Sequence, residues 1–296
     1  MADMTKNSTA SSKVAKVFIY LILGLLAVTI IVPVAWVFVA SIKENSEFYG
    51  SPWAIPKGFH FQNFTDAWET ANMGSYMLNS VFVTVLGILL LIVIALPAAY
   101  VLSRFKFKSQ KIWNVMFMAG LFINVNYIVV PIFLMLNNAD GKLRQWFGEP
   151  FFLNNLFILA LVYASTALPF TIYLLSGYFK SLAKDYEEAA YVDGAGYWRT
   201  MIQVIMPMAK PSIVTVILFN FLAFWNEYII SMTLLTRPEI KTLPVGLMNL
   251  MAAQKSAVQY GQMYAGLVIV MIPTLILYIC VQKKLTQGMT LGGLKG

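Results

Sequence analysis

Few residues in this chain are of a type that carries out chemistry. The only histidine is His60 and the only cysteine is Cys280, so His-centred triads, intramolecular disulfides and Cys-based metal sites are excluded. Two acidic candidates remain: Glu227 inside an apolar run, and a carboxylate pair in the polar segment 185–199. A charge within a membrane span is costly, which makes Glu227 a candidate functional residue.

The composition is that of a membrane protein. Of the 296 residues, 59% are hydrophobic and 11% are charged, whereas soluble domains carry about 25% charged residues. Six apolar runs approach the roughly 20 residues that a helix needs to cross a bilayer. They are residues 17–42, 75–102, 112–136, 156–179, 212–235 and 264–281. The sequence therefore predicts an all-α membrane protein with six transmembrane helices.

The distribution of Lys and Arg predicts the orientation. Of the 21 basic residues, 14 lie in the N-terminus, the loops 103–111 and 180–211, and the C-terminus. The positive-inside rule therefore makes both termini and the 180–211 loop cytoplasmic. The predicted divisions are a tail at 1–16, a first span with its outer loop at 17–74, a transmembrane core at 75–281 and a tail at 282–296. Residues 17–42 exceed a signal-peptide core in length and are predicted to be a retained span.

The outer loops are predicted at 43–74, 137–155 and 236–263 and are rich in aromatic residues, Asn and Pro. They are a candidate docking surface for an external partner. Alternatively, the aromatic side chains position helix ends at the lipid headgroups. Prolines inside five spans could kink them, although membrane helices also tolerate proline. These prolines are Pro33, Pro97, Pro131, Pro169 and Pro273.

The polar segment 185–199 predicts a helical elbow. Asp185 and Glu188 have the spacing of a capping box, and Gly194 can adopt a positive φ that ends the first helix. A second amphipathic helix is predicted to start near Tyr197. The prolines that end it are Pro207 and Pro211.

The side chains of the elbow favour a protein partner. Glu187 and Glu188 are predicted to be exposed, and anionic headgroups would repel them. Small alanines at 189, 190 and 195 would allow another protein to approach closely. An elbow that lies on the membrane surface without a partner remains the alternative.

The elbow also resembles a known family. The pattern Glu188-Ala189-Ala190, then Gly194, then Ile205-Met206-Pro207 is similar to the EAA signature of binding-protein-dependent ABC importer permeases. The resemblance implies the type I ABC importer permease fold, with cytoplasmic EAA coupling helices that sit in a groove of a separate ATPase. It implies that Glu188 pairs with a basic residue of that ATPase and that Gly194 forms the turn. The implied docking residues are Glu187, Glu188, Ala189, Ala190, Asp193, Gly194 and Ala195.

Two further stretches resemble carbohydrate permeases. Residues 98–105, Ala-Ala-Tyr-Val-Leu-Ser-Arg-Phe, look like the end of the second span in sugar permeases, and the tail at 288–296 resembles that of MalG-type subunits. In that subfamily the tail reaches between the two ATPase subunits, whereas a Gly-rich tail is otherwise simply disordered. The implied tail contacts are Gly288, Gly292, Gly293, Lys295 and Gly296.

Polar residues in the spans are candidates for a sugar path. The Trp-Asn-acid stretch around Glu227 is part of the resemblance to sugar permeases, but polar side chains also hold membrane helices together. Glu227 could instead pair with a partner subunit, gate the outer side or lie at a water-filled interface. The resemblance further implies that a partner permease supplies most substrate contacts. The candidates are Glu227, Asn226, Trp225, Asn79, Asn124, Asn126 and Tyr127.

The expected function is that of a permease subunit of an ATP-driven sugar or oligosaccharide importer. The implied partners are a second, MalF-like permease subunit, an ATPase dimer that holds ATP and Mg, and an extracellular or periplasmic sugar-binding protein. The sequence contains no phosphate-binding loop, so the chain itself is expected to be no enzyme and to bind no cofactor or metal. Alternatives are an ABC permease for another polar solute such as a glycerol phosphate, an ion-coupled secondary transporter and a membrane-embedded hydrolase.

Overall fold

The computed structural model describes residues 10–148, 150–253 and 258–293, which are mostly helical. The α-helices in chain order are α1 (Ala10–Ser41), α2 (Ser46–Gly50), α3 (Gln62–Thr70), α4 (Met73–Arg104), α5 (Gln110–Gly120), α6 (Val125–Phe147), α7 (Leu156–Ser181), α8 (Asp185–Val192), α9 (Tyr197–Arg199), α10 (Met206–Met208), α11 (Lys210–Trp225), α12 (Ile229–Leu234), α13 (Leu243–Ala253) and α14 (Tyr260–Gly293). A π-helical turn covers Thr200–Ile205, and a 3-10 turn covers Pro238–Ile240. The predicted all-α fold is confirmed.

The helices that could cross a membrane fall into two kinds. Four are continuous and long enough: Ala15–Ser41, Met73–Arg104, Leu156–Ser181 and Tyr260–Gln282. Two further candidates are bent pairs, Gln110–Gly120 with Val125–Arg144 at 103° and Tyr197–Met208 with Lys210–Trp225 at 76°. The described residues thus provide four to six spans, in keeping with the six predicted.

Two of the predicted runs are not continuous helices. In the run 112–136, α5 ends at Gly120 and α6 begins at Val125. Asn124 caps the start of α6, where its side chain accepts a hydrogen bond from the Asn126 N–H at 2.9 Å. In the run 212–235, helix is interrupted between Trp225 and Ile229. Both breaks have apolar neighbours, so a count of apolar residues misses them.

The predicted loops also contain helix. α6 continues to Phe147, into the predicted outer loop 137–155, and α1 begins at Ala10, within the predicted tail 1–16. Asp140 of α6 binds the segment that follows this helix. Its carboxylate accepts hydrogen bonds from the N–H groups of residues 151, 152 and 153 at 2.7–2.8 Å. Three N–H groups of a non-helical segment are satisfied in this way.

The contacts within the chain define two compact units. One contains residues 1–68 with 253–269, and the other contains residues 69–252 with 270–296. In the first unit Lys43 is fully buried, donates to the Pro52 carbonyl at 2.7 Å and lies 4.5 Å from the centre of the Trp36 ring. The carbonyl partner and the aromatic ring compensate for the desolvation of this ammonium group.

The second unit is built around α4, α7 and α11. Leu91, Ala95 and Ala99 of α4 are fully buried, as is Leu159 of α7. A Cβ at Gly87 would lie 3.2 Å from the ring of Phe224, so α4 and α11 approach closely at this glycine. Small residues at a helix interface are typical of packing in membranes. This packed core positions the elbow described below.

The five predicted internal prolines all lie inside helices. The sharp bends occur elsewhere: one lies between Gly120 and Val125, and the other is at Ala209, between Pro207 and Pro211. The helix that precedes Ala209 therefore ends where these two prolines predict. The π-helical turn just before it was not predicted. The five helix-internal prolines are Pro33, Pro97, Pro131, Pro169 and Pro273.

Candidate coupling site

The predicted elbow consists of α8, a turn at Gly194 and a second helical limb from Tyr197. Gly194 has a φ of 76°, as predicted. Its N–H donates to the Tyr191 carbonyl at 3.0 Å, and the N–H of Ala195 donates to the Ala190 carbonyl at 2.9 Å. These two bonds form a Schellman motif, which closes the last turn of α8. The direction of the second limb is therefore fixed by the backbone.

The predicted capping box at the start of α8 is wrong. The cap position is Lys184 rather than Asp185, and no side chain caps the helix there. The Lys184 carbonyl accepts hydrogen bonds from the N–H groups of Glu187 and Glu188. The chain is already helical at Lys184, so Asp185 does not have the extended backbone of a capping residue.

Glu187 is buried against α4, contrary to the prediction that both carboxylates are exposed. Its Oε1 accepts a hydrogen bond from Arg104 Nε at 2.9 Å. The side chain of Arg104 is 3% exposed and that of Glu187 is 12% exposed. An ion pair so little exposed to water is weakly screened, and each charge depends on the other for compensation.

The rest of the Arg104 guanidinium binds the end of α7. Nη1 donates to the carbonyls of Phe179 and Leu182, at 3.2 and 2.9 Å, and Nη2 donates to the Ala183 carbonyl at 3.2 Å. Helix C-termini carry unpaired carbonyls and a partial negative charge that cations stabilise. One side chain thus connects α4, α7 and α8.

The second limb of the elbow contacts the core through aromatic rings. Tyr197 lies 5.7 Å from Tyr100 and 5.4 Å from Phe105, measured between ring centres. Tyr100, which is fully buried, also contacts Phe179 of α7 at 5.9 Å. Such ring pairs add to the stability gained by burial of apolar surface.

The opposite face of α8 is free. The Glu188 carboxylate is exposed and, in the part of the chain that the structure describes, has no hydrogen-bond or ion-pair partner. Ala189 is exposed, whereas Ala190 is only 8% exposed. The other predicted docking residues, Asp193, Gly194 and Ala195, surround the turn, where the first two are exposed and Ala195 is half-buried.

An apolar groove of about 440 Å³ lies beside the second limb. Trp113 and Trp198 on its edges are 46% and 62% exposed. Its lining consists of Pro97, Ala98, Val101, Leu102, Phe107, Trp113, Phe117, Tyr197 and Trp198. The elbow therefore presents an apolar surface as well as an acidic one.

Glu227, the acidic residue predicted within a span, lies at the break between α11 and α12. Its Oε2 accepts from the Tyr163 hydroxyl at 2.8 Å and from the Ser231 N–H at 3.1 Å, and its Oε1 accepts from the Ile230 N–H at 2.8 Å. The carboxylate therefore satisfies the N–H groups that begin α12 and joins them to α7. This geometry assigns Glu227 a structural role at the break.

The other path candidates are dispersed. Asn79 donates to the Lys241 carbonyl at 3.0 Å, and Trp225 is buried and donates to the Val270 carbonyl at 3.2 Å. Asn226 is exposed and donates to the Leu222 carbonyl of its own helix. Asn124, Asn126 and Tyr127 are exposed at the start of α6, and Tyr127 is 83% exposed. No hydrogen bond among the described residues joins the Asn124 group to Glu227.

Of the predicted tail contacts, three lie in a helix and two lie outside the described residues. Gly288, Gly292 and Gly293 belong to α14, which ends at Gly293. Lys295 and Gly296 are outside the described residues.

Two important residues were not predicted as site residues. Arg104 ends an apolar run and precedes Lys106 and Lys108, so it is indistinguishable from an ordinary topology-determining cation. Tyr163 lies in an uninterrupted apolar run, and nothing in its neighbourhood indicates a buried acid as its partner. Both act through contacts distant in sequence.

The chain is similar to known transport proteins in both fold and sequence. The fold is similar to that of a bacterial ABC transporter involved in the import of the acidic polysaccharide alginate, with a TM-score of 0.79 and 24% identity over 94% of this chain and 99% of that one. Residues 91–291 match the family described as the binding-protein-dependent transport system inner membrane component. The chain belongs to this family and is a multi-pass membrane protein.

Several curated relatives match over nearly their whole length. The diacetylchitobiose uptake permease NgcG of Streptomyces coelicolor is 36% identical over 92% of this chain and 86% of its own length. The galactooligosaccharides permease GanQ of Bacillus subtilis is 31% identical over 94% and 95%. The trehalose/maltose permease MalG of Thermococcus litoralis is 30% identical over 94% and 97%.

Proposed function

We propose that this chain is one of two membrane-spanning subunits of an ATP-driven importer for sugars or oligosaccharides. The names of the three relatives, each a sugar permease, support the substrate class. The observation that carries the coupling role is the elbow. Its first helix presents an exposed carboxylate, Glu188, that has no partner in the described part of the chain.

In this proposal an ATPase dimer binds ATP and Mg and supplies all hydrolysis. A basic group of the ATPase pairs with Glu188, and the small Ala189 allows close contact. Closure of the ATPases displaces the elbows of both permease subunits. The path between the subunits then opens to the outside, and hydrolysis resets it. The C-terminal residues from Gly288 onward contact the ATPases as well.

The proposed orientation places both termini and the elbow in the cytoplasm, as the excess of Lys and Arg there indicates. An external binding protein then delivers sugar to the outer loops. Trp53, Phe59 and Phe61 are 65–76% exposed and provide aromatic surface for that contact. Aromatic belts at the headgroups remain the alternative role for these residues.

The sugar path is proposed to use the exposed polar residues rather than the engaged ones. Asn124, Asn126 and Tyr127 are exposed at the start of α6, where Asn124 also caps the helix. The Glu227 oxygens already accept three hydrogen bonds within the protein, and Asn79 and Trp225 are bound to backbone carbonyls. Most substrate contacts then come from the second permease subunit.

The test is uptake into proteoliposomes that contain both permease subunits and the ATPase, with the cognate binding protein supplied on the outer side. We expect uptake of a radiolabelled oligosaccharide to require ATP and the binding protein. Competition by unlabelled oligosaccharide but not by glycerol phosphate is expected. Uptake driven by an ion gradient without ATP would overturn the proposal, and ATP-dependent uptake of radiolabelled glycerol phosphate with none of the oligosaccharide would replace the substrate class.

A further inference from the structure

The connection between α8 and the spans depends on one guanidinium group. Arg104 donates to Glu187 of α8, to the Phe179 carbonyl in the last turn of α7 and to two carbonyls just after it, all between 2.9 and 3.2 Å. Arg104 is itself the last residue of α4. No lysine can make these four contacts, because an ammonium group has three donors and no planar fork.

This arrangement goes beyond what a surface elbow requires. A helix that only rests on the membrane needs no buried charge, and the desolvation of two ions is costly unless they are well paired. Here the charges are 3% and 12% exposed and are placed where the elbow meets the spans. The second limb has a separate, apolar contact through Tyr197, which touches Tyr100 and Phe105.

We propose that Arg104 is a positioning residue that makes α8 move as one body with α4 and α7. A displacement of α8 then moves α4 and α7 with it, because the charge-assisted hydrogen bonds of Arg104 join all three helices. This inference rests on the proposed function, since it assigns how the movement of the elbow is delivered to the path. Glu188 receives the force in this account, and Glu187 with Arg104 transmits it.

The test compares the same substitution at two arginines of the coupling region. Arg104→Lys keeps the charge and loses the planar fork of donors. Arg199→Lys is its matched control, because Arg199 is exposed and its side chain donates, among the described residues, only to Gln203 on its own limb. In proteoliposomes we expect Arg104→Lys to lower the sugar transported per ATP hydrolysed about tenfold, the size of a typical coupling effect. Co-purification of the ATPase is expected to stay at the wild-type level. Arg199→Lys is expected to match the wild type in both.

Two further variants separate positioning from general destabilisation. Glu187→Gln keeps the shape and one acceptor for Arg104 but removes the charge, and a smaller fall in sugar per ATP is expected. Gly246→Ala lowers stability elsewhere, because its Cβ would meet the ring of Tyr76. Complexes that carry it are expected to retain the wild-type ratio.

The outcomes distinguish this inference from the proposed function. A wild-type ratio in Arg104→Lys overturns the inference, and so does an equal fall in Gly246→Ala at matched thermal stability. If the wild-type complex shows no ATP-dependent sugar uptake, the proposed function itself is wrong.

Discussion

Glu187 and Glu188 are neighbours in α8, yet their carboxylates have opposite surroundings. Glu187 is buried and paired with Arg104 at 2.9 Å, whereas Glu188 is exposed and free in the described part of the chain. Successive positions in a helix point about 100° apart, so a short helix can present one acid to the core and the next to solvent. Two identical residue types therefore serve two needs: one attaches the elbow and the other stays available for a partner.

Substitutions on the buried side of α8 should lower the free energy of unfolding much more than substitutions on its exposed side. The largest loss is expected for Arg104→Ala, about 3–5 kcal/mol, because it leaves Glu187 as an uncompensated buried charge. Thermal or denaturant unfolding in detergent measures it. The double variant with Glu187→Gln should lose less than Arg104→Ala alone. A loss below about 1 kcal/mol for Arg104→Ala would mean that the pair is solvated, as surface ion pairs are.

Glu227 lies at the break between α11 and α12, and its substitution should cause the next largest loss of unfolding free energy. In Glu227→Gln the amide replaces an acceptor by a donor, so at least one of Tyr163, Ile230 and Ser231 loses its acceptor. A loss of about 1–3 kcal/mol is expected from such an unsatisfied group. Glu69→Gln, the same change at an exposed acid, is the control and should be nearly neutral. Unchanged stability of Glu227→Gln would exclude the capping role.

Gly194 joins the two limbs, and its substitution should cost less. At a φ of 76° an added Cβ is strained, although nothing lies within 4 Å of it. The expected loss for Gly194→Ala is about 1 kcal/mol, the cost of a left-handed conformation for a residue with a side chain. Gly177→Ala, inside α7 and also without close neighbours, should be neutral or stabilising. Equal effects of the two would contradict the turn geometry.

Glu188→Lys should have the smallest effect on stability and the largest on transport. The exposed side chain has no partner to lose among the described residues, so the change in unfolding free energy should stay within about 0.5 kcal/mol. Uptake should be abolished and co-purification of the ATPase lowered, because the new charge repels a basic partner. Glu69→Lys, the same change at an exposed acid in a predicted outer loop, should leave co-purification unchanged. Normal uptake by Glu188→Lys would remove this residue from docking.

The elbow was largely predictable because its signals are local. Gly194 needs a positive φ, and the prolines at 207 and 211 frame the bend at Ala209. The capping box failed because the chain is already helical at Lys184, which the composition of the helix does not indicate. The burial of Glu187 could not be predicted, since Arg104 is distant in sequence.

In the spans, too, local features were predictable from the sequence and contacts distant in sequence were not. Hydropathy located the four continuous spanning helices, since the length of apolar sequence alone determines them. It did not predict the breaks at Asn124 and Glu227, because each depends on side chains that satisfy backbone N–H groups within an apolar neighbourhood. The role of Glu227 in particular depends on Tyr163 from another helix.

Cross-linking from adjacent alanines of α8 tests most directly which side of that helix meets the ATPase. The only cysteine is Cys280, so Cys280→Ala provides a cysteine-free background. Ala189 is exposed and Ala190 is 8% exposed. In the assembled complex, Ala189→Cys labelled with a maleimide that carries a benzophenone should photo-cross-link to the ATPase, and Ala190→Cys should not. Efficient cross-linking from Ala190→Cys but not from Ala189→Cys would contradict the account.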